Sequence, residues 1–173
     1  MLKVTRRTKE VDVILNQQTA EDIARLGDIL AEEATREQIT EAGGNRTAKR
    51  TAERIDRLRR QAENETLKLE LRALGVSQWA QVLAANTVTE GAIAGTRDMF
   101  GTAADALPLM IVNATLGDEP VPDGDLTSDS LRKLFDELTD GQFTPIWETI
   151  CDLNGKAADP KAAIDLASRI LHG

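Results

Sequence analysis

The segment Thr66-Leu67-Lys68-Leu69-Glu70-Leu71-Arg72 decides the fold class, because three leucines alternate with three charged residues. Successive side chains of a β-strand point to opposite faces, so this alternation predicts a strand with one apolar and one polar face. Leu67, Leu71 and Leu74 also have helical spacing, which leaves a helix as the alternative. The strict alternation favours the strand.

A second strand is predicted upstream, in residues 9–16, where Val11, Val13 and Leu15 share one face. Pairing of residues 9–16 with residues 66–72 would give a two-stranded antiparallel ribbon. Because such a ribbon is not stable alone, it requires a helical layer over its apolar face.

The residues between the two strands predict an antiparallel helical hairpin. Thr19 is the expected N-cap of the first helix, Gly43-Gly44-Asn45 ends it, and the second helix spans residues 47–64. Glu21 to Glu41 holds seven acids against two bases, whereas Arg46 to Arg60 holds seven bases against two acids. Because surface ion pairs add little stability, this opposite charge serves mainly to specify that the two helices pair with each other. The apolar stripes are Ile23, Leu26, Leu30 and Ala34 in the first helix, and Ala48, Ala52, Ile55, Leu58 and Ala62 in the second.

Downstream of Gly75, the pattern is mostly helical. The longest apolar stretch, residues 99–116, is interrupted by Pro108. The expected segments are a helix at 77–86, a loose polar linker at 87–97, an acidic loop at 118–125, helices at 127–138 and 144–154 separated by Gly141, and a last helix from Pro160 to Leu171.

Composition supports a helical protein with one core. The 173 residues include two Trp, three Phe and no Tyr, so Leu, Ile, Val and Ala must build the core. The predicted fold is mainly α with a small two-stranded β ribbon (α+β), a long antiparallel helical hairpin and a C-terminal helical bundle. Residues 1–75 and 76–173 form its two segments within one cooperative unit.

Several protein classes are disfavoured. A lone cysteine, Cys151, excludes an intramolecular disulfide and fits a reducing cytosol. Charged residues interrupt the first 20 positions, so no signal peptide is expected, and the apolar patch Ala106 to Ala114 is too short to cross a bilayer. The net charge of -8 opposes general binding to nucleic acid. We therefore expect neither a membrane nor a nucleic acid as partner.

No reactive constellation is evident, so we predict no catalytic residue, no cofactor and no metal, and a protein that is not an enzyme. His172 is the only histidine, and Cys151 lies between Ile150 and Leu153 with no evident base. Gly91 and Gly95 lack the Lys-Ser or Lys-Thr of a phosphate-binding loop. The carboxylates of the acidic loop lack the ligand order of an EF-hand; they are Asp118, Glu119, Asp123 and Asp125.

Two motifs give the chain a family resemblance. The first is Arg72-Ala73-Leu74-Gly75 followed by the Trp helix Ser77-Gln78-Trp79-Ala80-Gln81-Val82-Leu83. The second is the stretch from Leu131 through Asp140-Gly141-Gln142-Phe143 to a helix that ends at Leu153-Asn154. Over residues 9–155 the chain resembles the tail assembly chaperones of actinobacterial long-tailed phages and prophages. The Pro-rich linker usual after the Trp helix in that family is absent here.

The resemblance implies a protein that binds the tape measure protein and helps to recruit the major tail protein. It also implies location in the host cytoplasm and absence from the finished virion. The candidate contacts for protein binding are Trp79, Met99, Phe100, Leu109, Met110, Phe143 and Trp147. Each also has an explanation as a core residue, although Trp is favoured at interfaces.

Three alternatives remain from the sequence. One is a structural or adaptor protein of the virion, such as a minor tail or head-completion component. Another is a nucleic-acid-binding regulator that uses Arg46 to Arg60, and a third is a metal-dependent hydrolase built on the acidic loop. Homo-oligomer formation, including self-association through the hairpin, is left open.

Overall fold

This computed structural model describes residues 2–37, 45–157 and 160–172. The described residues form an α+β fold. Its strands are β1 (Thr8–Ile14), β2 (Thr66–Arg72), β3 (Ile111–Leu116) and β4 (Glu119–Pro120). Its α-helices are α1 (Gln17–Glu37), α2 (Asn45–Asn64), α3 (Val76–Ala85), α4 (Met99–Met110), α5 (Ser128–Glu137), α6 (Asp140–Gly155) and α7 (Lys161–His172), and a 3-10 helix spans Asp123–Leu126.

The sheet is antiparallel, with the strand order β1-β2-β3-β4. β2 lies inside it, with Leu69 opposite Val11 of β1 and opposite Ala114 of β3. The predicted pairing of the first two strands is therefore present. The prediction of a two-stranded ribbon is wrong, because two further strands extend the sheet, and the sheet joins strands from both predicted segments.

The third and fourth strands were missed for local reasons. α4 ends at Met110 and β3 begins at Ile111, so no turn residue marks the change from helix to strand. Gly117 then turns the chain with a φ of 60°, a conformation that favours glycine. Its backbone lies close to that of Asn64, so a side chain would be crowded there. β4 and the 3-10 helix occupy the region predicted as an acidic loop.

One face of the sheet carries the core. Leu67, Leu69 and Leu71 are at most 6% exposed, as their alternation predicts. α4 and α6 cover this face, and α5 packs against α4. At roughly 1.5–3 kcal/mol for each large apolar side chain buried, this layer is the main source of stability. The helical residues of the core include Ala103, Ala104, Ala106, Leu107, Met110, Leu131, Phe135, Phe143, Ile146, Ile150 and Leu153.

The opposite face of the sheet is polar and open. Glu10 lies opposite Glu70, and Asp12 lies opposite Lys68. These side chains, with Asn113 and Thr115 of β3, line a surface cavity of about 290 Å³. The sheet is thus covered by helices on one side, as the alternation in β2 requires.

α1 and α2 form a helical hairpin between β1 and β2, and they pack mainly against each other. Leu26 and Ala62 are buried between them, and Thr19 Oγ1 donates to Glu65 at the base. At about 1.5 Å per residue each arm is about 30 Å long. Thr19 is not the N-cap, because the Asn16 side-chain oxygen accepts from the Thr19 N–H and α1 begins at Gln17. The predicted break at Gly43-Gly44 lies outside the described residues.

The C-terminal part also differs from the predicted bundle. Every residue of α7 is exposed, so this helix does not pack with α4, α5 and α6. Gly141 does not break the chain but lies in the first turn of α6. Residues 87–97, predicted as a loose linker, form a loop whose ends are joined by backbone pairing. Thr87 forms an antiparallel bridge with Arg97, and the Val88 N–H donates to Thr96 O at 2.9 Å.

Two amides fasten α6 to the rest of the core. Gln142 Nε2 donates to the carbonyls of Ile14 and Leu15, at 2.9 and 3.1 Å. Asn154 Oδ1 accepts from the Leu74 N–H at 2.7 Å, close to the end of β2. We call Gln142 and Asn154 the α6 clamp. Both residues belong to the closing motif of the family resemblance, so this motif has a structural role here.

The first prediction compares two leucines of α4. Leu107 is fully buried and Leu109 is 53% exposed. Leu107→Ala should lower the free energy of unfolding by about 2–5 kcal/mol, because it leaves a cavity in the core. Leu109→Ala should change it by no more than about 0.5 kcal/mol. Urea unfolding followed by circular dichroism measures both, and equal effects would contradict the placement of α4.

The second prediction concerns the α6 clamp. Asn154→Ala leaves the Leu74 N–H without its partner, and Gln142→Ala leaves the Ile14 and Leu15 carbonyls without theirs. Each variant should lose about 1–3 kcal/mol of stability in thermal or urea unfolding. The control is Gln81→Ala on the exposed side of α3. A clamp variant as stable as this control would show that these hydrogen bonds do not hold α6.

Candidate protein-binding surfaces

The only histidine and the only cysteine of the chain lie on different helices. His172 is exposed on α7, whereas Cys151 is half-buried on α6. Burial raises the pKa of the Cys151 thiol, which keeps it protonated at neutral pH. Within residues 2–37, 45–157 and 160–172, no group of three or more His, Cys, Asp or Glu side chains is arranged to hold a metal ion.

The predicted contact residues fall into three groups by their exposure. Met110 and Phe143 are 1% and 3% exposed, so they belong to the core and would meet a partner only if the core opened. Trp79, Met99 and Trp147 are half-buried and pack against the same core. Phe100 and Leu109 are 45% and 53% exposed.

Of the predicted contact residues, Phe100 and Phe143 contact each other through their rings. The rings of Phe100 and Phe143 are 4.8 Å apart, and Phe135 contacts Phe143 edge-on at 5.0 Å. Phe100 and Phe135 line a shallow groove of about 360 Å³ with Asp98, Gly101, Arg132 and Asp136. This groove between α4 and α5 brings one of the two exposed predicted contacts, Phe100, to an open surface, and the other, Leu109, is exposed further along α4.

A polar network fixes the wall of this groove. Asn86 Nδ2 donates to Asp105 Oδ2 at 2.9 Å, and Arg132 donates to Asp105 Oδ1 at 2.9 Å. Gly101 passes so close to the side chains of Asn86 and Asp98 that any Cβ would collide with them. Asp105 thereby connects the end of α3 with α4 and α5.

The exposed apolar side chains of α7 were not among the predicted contacts. Ile164, Leu166, Ile170 and Leu171 of α7 are 60%, 53%, 75% and 75% exposed. Ile164, Ala167 and Leu171 share one side by their spacing, and Ala163, Leu166 and Ile170 widen it. Asp165 and Arg169 lie on the other side. The sequence signal for this apolar face was the set of apolar residues after Pro160, which we assigned to the last helix of a C-terminal bundle.

The hairpin carries the strongest charge separation. Asp56 accepts from Arg59 and Arg60, and Glu63 also pairs with Arg59, all within α2. The hydrogen bond from Arg59 is the main reason that the pKa of Asp56 lies below its ordinary value. Arg46, Arg50 and Arg57 share the outer side of α2 and are exposed. The charges that pair here stabilise a single helix rather than join the two arms.

Among the described residues, no helix has both the length and the apolar composition needed to cross a bilayer.

The third prediction uses the pH dependence of Asp105. Burial raises the pKa of this carboxyl, but the hydrogen bonds from Asn86 and Arg132 outweigh burial and set it below the ordinary value of 3.8. The charged form therefore contributes stability above pH 3.8 that is lost as the pH falls through the folded-state pKa. Asp105→Asn should be less stable than the parent at neutral pH, and the difference should shrink in acid.

Urea midpoints measured from neutral to acidic pH check this difference. The matched control is Asp123→Asn, the same exchange at an exposed position of the 3-10 helix. A stability difference for Asp105→Asn that stays constant into acid would contradict the role of the carboxylate.

No protein-family model, curated protein or solved structure matches this chain.

Proposed function

We propose that the chain is a phage tail assembly chaperone, which binds the tape measure protein during tail assembly and helps to recruit tail tube subunits. The observation that carries the proposal is the apolar face of α7. Four large apolar side chains on 12 residues are more than half exposed. Large apolar side chains are exposed elsewhere too, among them Leu2, Val76 and Ile93, but four on one 12-residue helix form a patch of the kind that favours a protein-binding role.

The form of α7 suits an elongated helical client. An amphipathic helix binds another helix or a groove through side chains spaced three and four residues apart, as Ile164, Ala167 and Leu171 are. A tape measure protein offers long helical segments with apolar stripes that must stay in solution until the tube covers them. Burying the face of α7 against such a stripe would shield apolar surface on both molecules.

The charge of the chain suits the same role. The net charge is -8, and a charge far from zero keeps a protein and its complexes dispersed. The two-motif resemblance to tail assembly chaperones adds the identity of the client. Action in the host cytoplasm and departure before the virion is finished belong to this proposal.

The fourth prediction tests the proposal by co-expression with the longest coil-rich open reading frame of the same gene cluster. The parent chain should keep that partner soluble and co-purify with it. Ile164→Gln with Leu171→Gln removes two apolar side chains from α7 and should weaken binding at least roughly tenfold in a titration. Gln is a good helix former, so α7 itself should persist.

The control places the same residue on the opposite side of the helix, as Asp165→Gln with Arg169→Gln, and should bind like the parent. A partner that stays insoluble and unbound with the parent chain would count against the chaperone. Mass spectrometry of purified particles separates the alternative, because an adaptor stays in the virion and a chaperone does not.

A further inference from the structure

The outer edge of β1 carries unpaired backbone groups. Arg7 O accepts from the Ala73 N–H and the Leu15 N–H donates to Glu65 O, so the odd-numbered residues of β1 bond to β2. The even-numbered residues Thr8, Glu10 and Asp12 therefore direct their N–H and C=O groups away from the sheet. β1 is the first strand in the sheet order, and these three residues are exposed.

Charge along this edge is divided into two halves. In residues 2–14, Lys3, Arg6 and Arg7 precede the middle residue Thr8, and Glu10 and Asp12 follow it. Lys9 also follows Thr8, but it is paired with Asp152 of α6. An antiparallel copy of the same segment would place the basic half of one strand beside the acidic half of the other. Such self-complementarity is what a two-fold symmetric interface requires.

We propose that residues 2–14, which are β1 and the six residues before it, pair with the same segment of a second copy of this chain, antiparallel and with the two-fold axis at Thr8. Residues 2–7 of each copy, which are not a strand in the single chain, then extend as a strand along β1 of the other. In this register Arg6 of each copy lies opposite Glu10 of the other, twice per dimer. Leu2, which is 96% exposed, then lies opposite the half-buried Ile14. The two four-stranded sheets become one continuous sheet of eight strands.

A like-charge pair in the sheet supports this register. Glu10 lies directly opposite Glu70 of β2 on the open face, an arrangement that is unfavourable in a sheet. Cross-strand neighbours point to the same face, so Arg6 of the second copy would stand next to Glu10 on that face. The row across the open face then consists of Arg6 of the second copy, Glu10 and Glu70. The positive charge of Arg6 offsets the repulsion between the two glutamates.

Both faces of β1 have cavities that leave room for the side chains of an added strand. The open face holds the polar cavity lined by Glu10, Asp12 and Glu70. The other face holds a groove of about 610 Å³ beside Lys9, lined by α6 residues that include Glu148 and Asp152. Arg7 already bonds to the Asp152 and Lys156 carbonyls, which holds its side chain on the α6 side. The exposed Arg6 side chain donates to Gln78 Oε1 at 3.5 Å, and it would exchange this bond for Glu10 of the second copy. The Ile14 carbonyl keeps its bond to Gln142.

The fifth prediction is a charge exchange, measured on the full chain by sedimentation equilibrium at low ionic strength. The parent chain should dimerise, more weakly in high salt because the two ion pairs are exposed. Arg6→Glu and Glu10→Arg each place like charges opposite one another twice per dimer, so each should raise the dimer dissociation constant by roughly tenfold or more. An equimolar mixture of the two variants should recover the parent affinity, because both pairs are then of opposite charge.

Two further variants separate pairing from folding. Thr8→Pro removes an N–H that points away from β2, so it should abolish the dimer and leave the circular dichroism spectrum intact. Glu119→Arg makes the same charge change on β4, at the other edge of the sheet, and should dimerise like the parent. A monomeric parent chain, or a mixture that associates no better than the separate variants, would overturn the proposal. This test needs no client and is independent of the proposed function.

Discussion

The alternation of leucine and charge in β2 is the constraint on which the rest of the structure depends. Its three leucines face the helical layer, and Lys68 and Glu70 face the open side, so the sheet can be covered on one side only. β1 and β3 both pair with β2, so the position of β2 sets the register of both pairings. A shift of one residue would bury charge and expose leucine, which makes the register unique.

The helical layer is held by a few polar bonds as well as by packing. Gln142 fastens the start of α6 to the end of β1, and Asn154 fastens its end near the end of β2. Asp105 of α4 accepts from Asn86 at the end of α3 and from Arg132 of α5, and so joins these three helices. Because apolar contacts are not directional, these bonds fix which helix lies where. The two arms of the hairpin pack mainly against each other, and every residue of α7 is exposed, so both elements present surface to other molecules.

Sequence reasoning found the elements whose pattern is local. The alternation gave β2, the period of three to four gave α1 and α2, and both require only neighbouring residues. β3 could not be found in the same way, because Ile111 follows Met110 without a turn residue and the strand is defined by its pairing with β2. Among the predicted contacts, Met110 and Phe143 were ambiguous for a related reason. An apolar residue on a helix looks the same in a sequence whether it faces a core or a partner.

The central claim is that a fixed α+β core presents α7 as a free apolar surface for a protein client. Hydrogen exchange of the full chain, alone and with its co-expressed partner, tests this claim most directly. The account predicts slow exchange in β2, α4 and α6 in both states, and fast exchange in α7 that becomes slow only with the partner. Slow exchange of α7 in the isolated chain, or fast exchange that persists in the complex, would contradict it.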